Sequence, residues 1–222
     1  MRLSSKYQPT CLDEVVGQPA VIRRLKEFVA QPYARCILTE GRGGIGKSAA
    51  AKALIHDLGV DPLFGVNEYA GSDFLIGTSR HLFEHTFRLT PMAGARWNVL
   101  LIEELESAAS NEVTNHLKKN LSEQNMPERL IVIATSNDIS GLDEALLQRF
   151  DIFPFSCGPS FADACKDRLG EIWEKEVGGD ILMPQAVWQM GWKNEAYSMR
   201  RALVALGAAV EMYNAAREKV LA

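Results

Sequence analysis

Residues 41–48 read Gly41-Arg42-Gly43-Gly44-Ile45-Gly46-Lys47-Ser48, the spacing G-x-x-x-x-G-K-[ST]. That spacing has a defined chemistry. Glycines let successive backbone N–H groups turn inward around the phosphates of a nucleotide, Lys47 reaches the β- and γ-phosphates, and the Ser48 hydroxyl holds Mg²⁺. A helix beginning here points its positive end at the same anion. Gly43, Gly44, Ile45, Gly46, Lys47, Ser48 and Ala49 are therefore the candidate phosphate-binding residues. Two strand ends offer further chemistry. The run Trp97 to Ile102 ends in Glu103-Glu104. One carboxylate at such a place stands beside Mg²⁺, and the next can orient or deprotonate an attacking water. The run Leu130 to Ala134 ends in Thr135-Ser136-Asn137, where a polar side chain can contact the γ-phosphate or the water. Each feature has a plainer alternative: a glycine-rich turn, a solvated acidic loop, and simple capping of a strand–loop turn.

The elements around these residues must place them together. Cys36-Ile37-Leu38 before the loop reads as a buried strand running over Arg35 to Leu38, and Ala49 to Leu58 after it as a helix. Val21 to Val29 is amphipathic, and Gln31-Pro32 ends it. Further strands are expected at Val66 to Tyr69, Trp97 to Ile102, Leu130 to Ala134 and Ile152 to Phe155. Helices are expected at Thr78 to Leu89, stopped before Pro91, at Ala108 to Leu121 and at Leu142 to Leu147. Continuous apolar strands alternating with helices predict an α/β fold with a parallel sheet covered on both faces. Beyond Gly158-Pro159 only helical periodicity is visible. Phe161 to Val177 forms one helix, broken at Gly178-Gly179. Pro184 opens a second from a favourable first-turn position. Met199, Leu203, Leu206, Val210 and Tyr213 mark the core stripe of a third.

The bulk numbers exclude several classes. Of 222 residues, 47% are hydrophobic and 23% charged, and the net charge is −4, so no overall basicity advertises nucleic acid. The cysteines at 11, 36, 157 and 165 form no C-x-x-C pair, which argues against a metal framework and for a reducing cytoplasm. His81 and His85 lie four apart without carboxylates or cysteines to complete a metal site. No run approaches the roughly 18 apolar residues of a membrane helix, and the first residues lack a basic-then-apolar leader.

Together these residues resemble the AAA+ ATPases, most closely the ATPase subunits of sliding-clamp loaders, with Holliday-junction branch-migration motors next. The resemblance covers nearly the whole chain. Lys6-Tyr7-Gln8-Pro9, followed by Leu12-Asp13-Glu14-Val15-Val16-Gly17-Gln18, is similar to the clamp-loader N-terminal signature, which implies that Tyr7, Pro9 and Val16 pack on the adenine. Asn67 to Asp73 resembles the segment after the family's second strand. Glu103-Glu104 falls on the Walker B acidic pair. Glu104 then matches the catalytic carboxylate, and Glu103 the Mg²⁺ ligand, where the family usually has aspartate. The extra methylene moves that carboxylate by about 1.5 Å, one C–C bond. Asn137 matches the sensor-1 residue. Gln148-Arg149-Phe150 keeps only the arginine of the Ser-Arg-Cys motif, implying that Arg149 acts in trans on a neighbour's nucleotide as an arginine finger. Ser198 to Leu203 is similar to the sensor-2 motif, with Arg200 the better match and Arg201 its rival.

The resemblance implies a five-stranded parallel sheet flanked by helices in a P-loop AAA+ core (residues 1–157), and an all-α lid (residues 158–222). It implies ATP and Mg²⁺ as ligands. The implied activity is ATP hydrolysis by a clamp-loader-type motor in DNA replication or repair. The implied partners are further like or unlike subunits, a sliding clamp and DNA. Two departures stand out. Arg42 replaces a common proline, adding charge near the phosphates. The sequence stops at Ala222, where clamp-loader subunits usually continue into a helical collar, so assembly would rest on the ATPase domains or on partners. A small phage or mobile-element member and an excised core both fit that ending. The competing functions are a nucleotide-dependent assembly or adaptor protein with weak turnover, and a branch-migration-like DNA motor. A motor acting on a protein lacks its pore-loop signature here. Lys118 and Lys119 on one helix, with Arg80 and Arg88 on the preceding one, are candidate phosphate-backbone contacts or simply a solvated face.

Overall fold

The structure is a computed structural model, and it describes residues 2–89, 96–108, 110–178 and 181–221. In chain order the elements are α1 (Leu3–Lys6), α2 (Pro19–Ala30), β1 (Arg35–Glu40), α3 (Lys47–Asp57), β2 (Val66–Ala70), α4 (Ile76–His81), β3 (Asn98–Glu103), α5 (Asn111–Asn120), β4 (Leu130–Ser136), α6 (Glu144–Leu147), β5 (Asp151–Pro154), α7 (Pro159–Val177), α8 (Gln185–Gln189), β6 (Trp192–Lys193), β7 (Ala196–Tyr197) and α9 (Met199–Leu221). β1 to β5 form a five-stranded parallel sheet in the order β2-β3-β4-β1-β5.

The apolar runs explain the layering. Alternate residues of a strand point to opposite faces. Ile37, Val99, Leu101, Ile131, Ile133 and Phe153 pack with α2, α3 and α7 on one face. Cys36, Leu38, Leu100, Ile102, Val132 and Ala134 pack with α5 and α6 on the other. Every residue of β4 is buried, as a central parallel strand requires. Each large aliphatic side chain so buried contributes about 1.5–3 kcal/mol. Ser110 caps α5 by accepting the Val113 N–H at 3.3 Å, and Asp143 caps α6 by accepting the Leu146 N–H at 2.9 Å. The register sets Glu40 opposite Ser136 and Ile102 opposite Ala134. The carboxyl ends of β1, β3 and β4 therefore finish side by side, the edge where open α/β sheets bind ligands.

The C-terminal region departs from its all-helical reading. β6 and β7 form a short antiparallel hairpin with Asn194 and Glu195 at positive φ in its turn. Tyr197 buries its ring among Phe161, Trp188 and Trp192, and this tertiary packing overrides the weak local pattern. Pro184 is the N-cap of α8 rather than a first-turn residue. α7 ends at Val177, with Gly178 at φ 72°; Gly179 lies outside the described residues. α7 packs along α9, where Leu206 and Val210 are buried and Tyr213 stacks edge-on to Trp173. Two core helices also differ. The one expected over Thr78 to Leu89 begins at Ile76 and widens into a π-helical turn at Leu82–Thr86, which seats both Leu82 and Phe83 in the core; Pro91 lies outside the described residues. The one expected from Ala108 begins at Asn111, after a 3₁₀ turn at Leu105–Ala108.

Candidate nucleotide site

The turn from β1 into α3 carries the glycine-rich loop. Gly46 is the N-cap of α3 at φ 101°, a backbone state that a side chain resists. At Gly44 (φ 81°) a Cβ would fall 2.3 Å from Ser198 Oγ, so the loop accepts the C-terminal region only because this position is bare. The Gly44 carbonyl accepts the Arg200 N–H at 3.3 Å.

Lys47 is 7% exposed. Its ammonium donates to the Gly41 carbonyl, to the Arg42 carbonyl at 2.9 Å and to Asn137 Oδ1 at 3.0 Å. Burial holds its pKa below the ordinary lysine value; Glu106 opposes the shift and Arg200 adds to it. Ser48 Oγ donates to Glu103 Oε2 at 3.3 Å. The other Glu103 oxygen is buried without a hydrogen bond among the described residues and lies 3.5 Å from Lys52 Nζ. Lys52 also pairs with Glu68 at 2.8 Å. Burial alone would lower the Lys52 pKa, but the two carboxylates outweigh it and the pKa is raised. A hydroxyl oxygen beside a carboxylate oxygen with unused acceptor capacity fits the hard-oxygen preference of Mg²⁺. Ser48 and Glu103 are the residues that would hold it.

Glu104 follows β3 at φ 56°, strained for a non-glycine residue. Two groups hold it there. Thr135 Oγ1 accepts the Glu104 N–H at 3.1 Å, and Gly71 lies so close that a Cβ would fall 2.1 Å from the Glu104 carbonyl oxygen. The Glu104 side chain is exposed and opens into the cleft. Asn137 donates from its backbone N–H and its Nδ2 to Glu106 Oε1, at 2.9 and 3.0 Å. Sequence reasoning missed Gly71 and Glu106. Gly71 lay unremarked in the segment after the second strand, and Glu106 carried no signal beyond its place three residues after Glu103.

One cleft of about 500 Å³ is lined by residues 43–49 together with Glu104, Thr135, Asn137 and Arg200. Tyr7, Pro9 and Val16 line its apolar end with Phe161, Met199 and Leu203. Glu103 is absent from this lining and reaches the site through Ser48. Tyr7 donates its hydroxyl to Glu176 Oε1 on α7 at 2.6 Å, and Lys6 pairs with the same oxygen at 2.6 Å. Burial first, and then this bond, raises the Tyr7 pKa; the Lys6 and Tyr7 bonds lower that of Glu176. Adjacent arginines on α9 part company. Arg201 donates to the carbonyls of Gly191 at 2.6 Å and Ala196 at 3.1 Å, tying down the hairpin, while Arg200 lines the cleft.

Arg149 is elsewhere. It is exposed and borders a separate cavity with Tyr33, Arg35 and Gln148, at the amino end of β1. Lys118 is spent on Asp143 at 2.9 Å, and Lys119 and Arg88 line a third cavity. The His81 and His85 rings lie 5.3 Å apart, and among the described residues no group of three or more His, Cys, Asp or Glu side chains could hold a metal. Burial pushes the Cys36 and Cys165 thiols up to about 12. No helix among the described residues is long and apolar enough to cross a membrane.

Known proteins resemble the chain over most of its length. The chain is similar to the replication factor C small subunit of Archaeoglobus fulgidus, 34% identical over 178 residues, covering 77% of this chain and 53% of the relative. It is 28% identical over 218 residues to the replication factor C small subunit of Thermofilum pendens, covering 97% of this chain and 65% of the relative. The chain thus spans between about half and two thirds of the length of these curated relatives. Among solved structures, a point variant of Thermotoga maritima RuvB superposes with a TM-score of 0.72 at 17% identity, over 96% of this chain and 68% of that one, a likeness of fold. The model of the ATPase family associated with various cellular activities (AAA) matches residues 37–156. That stretch is more than half of the sequence and runs from β1 past β5, so the chain belongs to the AAA family.

Proposed function

We propose that this chain binds and hydrolyses ATP as a clamp-loader-type subunit, in a site completed by a neighbouring subunit. One observation carries the reading. A single cleft gathers Lys47, Ser48, Glu104, Asn137 and Arg200, while Arg149 stands exposed at the other end of β1. Within the cleft Lys47 and Arg200 neutralise phosphate charge, Glu104 takes the proton of the attacking water, and Asn137 orients that water. Tyr7, Pro9 and Val16 seat the adenine. Ser48 and Glu103 would hold Mg²⁺, which would supply positive charge against the nucleotide's phosphates. Arg149 of one subunit reaches the transferring phosphoryl group of the next. Residues 1–157 act as the nucleotide-binding core and residues 158–222 as the lid. Because Arg200 and Ser198 hold the Gly44 carbonyl, a change at the phosphates reaches the lid directly. The similarity to replication factor C small subunits supports a sliding clamp and DNA as the objects of that motion.

Complementation tests the composite site. Lys47→Ala and Arg149→Ala subunits, each inactive alone, should recover part of the wild-type ATPase rate when mixed. Recovery needs interfaces in which an intact loop faces an intact arginine. Mixtures no more active than their components, with a mass unchanged by a non-hydrolysable ATP analogue, would contradict it. A nucleotide-dependent adaptor is the second reading, favoured by the sharing of Glu103 between Ser48 and Lys52. A steady-state rate that collapses in Glu104→Gln while ATP still binds excludes it.

A further inference from the structure

Glu106 belongs to none of the motifs above, yet the polar network of the cleft ends on it. Its Oε1 accepts both the backbone N–H and the Nδ2 of Asn137. An ionised carboxylate only accepts, so this contact decides how the Asn137 amide points: NH₂ toward Glu106, and Oδ1 toward Lys47. Oδ1 then takes a hydrogen bond from Lys47 Nζ at 3.0 Å. A lysine ammonium has three donors. The Gly41 carbonyl, the Arg42 carbonyl and Asn137 Oδ1 occupy all three. A phosphate can receive Lys47 only after one of these bonds opens. Two of the acceptors belong to the loop backbone. The third is a side chain, oriented by one carboxylate. Glu106 Oε2 is buried without a hydrogen bond among the described residues, a desolvation cost that needs an explanation.

We propose that Glu106 is a positioning residue that acts through Asn137 to latch Lys47 inside a closed phosphate loop, and so sets how tightly the site takes a nucleotide. The inference rests on the nucleotide reading of the cleft. It explains the cost of the unpartnered oxygen: the carboxylate is placed for Asn137 rather than for its own satisfaction. It also makes the latch distinct from a simple charge effect, because geometry and charge can be varied separately.

The test is the affinity of a non-hydrolysable ATP analogue, measured by calorimetry on the full chain with Mg²⁺. Glu106→Ala removes geometry and charge. Glu106→Gln keeps an oxygen for both Asn137 donors and removes the charge. Glu106→Asp keeps the charge and withdraws it by one methylene. The latch predicts about three- to tenfold tighter binding for Ala and Asp, and a Gln variant within about twofold of wild type. On an Asn137→Ala background, Glu106→Ala should change Kd by less than about twofold, because it acts through Asn137. Equal tightening in Ala and Gln with none in Asp would show charge alone and overturn the latch. So would a full Glu106→Ala effect without Asn137, or no tightening at all. If Glu106→Ala does not fold, the Asp and Gln variants decide. Lys47→Ala separates the two levels: wild type that binds no nucleotide, with Lys47→Ala indistinguishable from it, sinks the nucleotide reading and the latch with it. Binding lost in Lys47→Ala, with Glu106 variants all equal to wild type, sinks the latch alone.

Discussion

At the carboxyl ends of β1, β3 and β4, polar side chains hold one another: Lys47 to Asn137, Asn137 to Glu106, Ser48 to Glu103, and the Glu104 backbone to Thr135. At the amino end of β1, Arg149 projects into solvent and makes no ion pair among the described residues, although Arg35 beside it is paired with Asp151. The first arrangement spends its hydrogen bonds within the chain, so a ligand at Lys47 must exchange for one of the three bonds its ammonium already makes. The second leaves a cation exposed and unpaired among the described residues. Under the proposed function, one end of the sheet receives a nucleotide and the other is offered to a neighbour.

The largest expected effect breaks that comparison outright. In an assembled, ATP-hydrolysing sample, Arg149→Ala should lower kcat by about 10³-fold, the low end for an arginine finger. Nucleotide Kd should move less than about threefold, because the residue lies outside the binding cleft. A Kd loss as large as the kcat loss would place Arg149 in its own subunit's binding site. Next comes Glu104→Gln. Losing the general base should cost about 10²-fold in kcat with ATP binding retained, read from single-turnover hydrolysis beside equilibrium binding. Equal damage from both substitutions in a strictly monomeric sample would erase the distinction between the two ends.

A smaller effect sharpens the boundary of the receiving end. Arg200→Ala should weaken nucleotide binding by about tenfold and leave the melting temperature near wild type, since it removes one cationic contact from the cleft. Arg201→Ala should do the reverse. It removes the two charged hydrogen bonds to the Gly191 and Ala196 carbonyls, each worth about 1.5–3 kcal/mol, and lowers thermal stability. Thermal melts and calorimetric titrations of the two variants check this. If both lose affinity equally, both arginines serve the ligand.

The same pair shows where sequence reading reached its limit. Phosphate-loop residues are contiguous, so Lys47 and Ser48 were legible as a local pattern. Glu104 and Asn137 were legible because each follows a run of buried β-branched or aliphatic residues, and parallel strands end at one edge. Arg200 and Arg201 are adjacent and chemically identical, and only the family resemblance prefers Arg200. What separates them is the position of two carbonyls in a hairpin of two-residue strands, too short to leave a periodic signal and held by the Tyr197 ring. Glu106 looks like any acidic residue on a turn until β4 is folded beside it. The π-helical turn at Leu82–Thr86 is invisible for a similar reason: its widening answers the packing of Phe83 and Phe87 under α5, not a local preference.

The smallest effect concerns the apolar end of the cleft, where Glu176 on α7 receives both Lys6 and Tyr7. These contacts hold the Glu176 pKa below its ordinary value. A carboxylate depressed in this way contributes stability that is present above its unfolded pKa and is lost as pH falls through the lower folded one. Lys6 and Tyr7 are shifted upward, so their share of the strap fades only at strongly alkaline pH. Across neutral pH the strap is therefore intact, and acidification below the usual carboxylate range releases it. Glu176→Gln should weaken nucleotide affinity at neutral pH by less than about threefold, because partly exposed ion pairs are worth little. It should also flatten the loss of affinity that wild type shows on acidification. Binding titrations between neutral pH and the carboxylate range read both. An acid dependence unchanged in Glu176→Gln would move the titrating group elsewhere in the cleft, and would leave Tyr7 positioned by its burial rather than by α7.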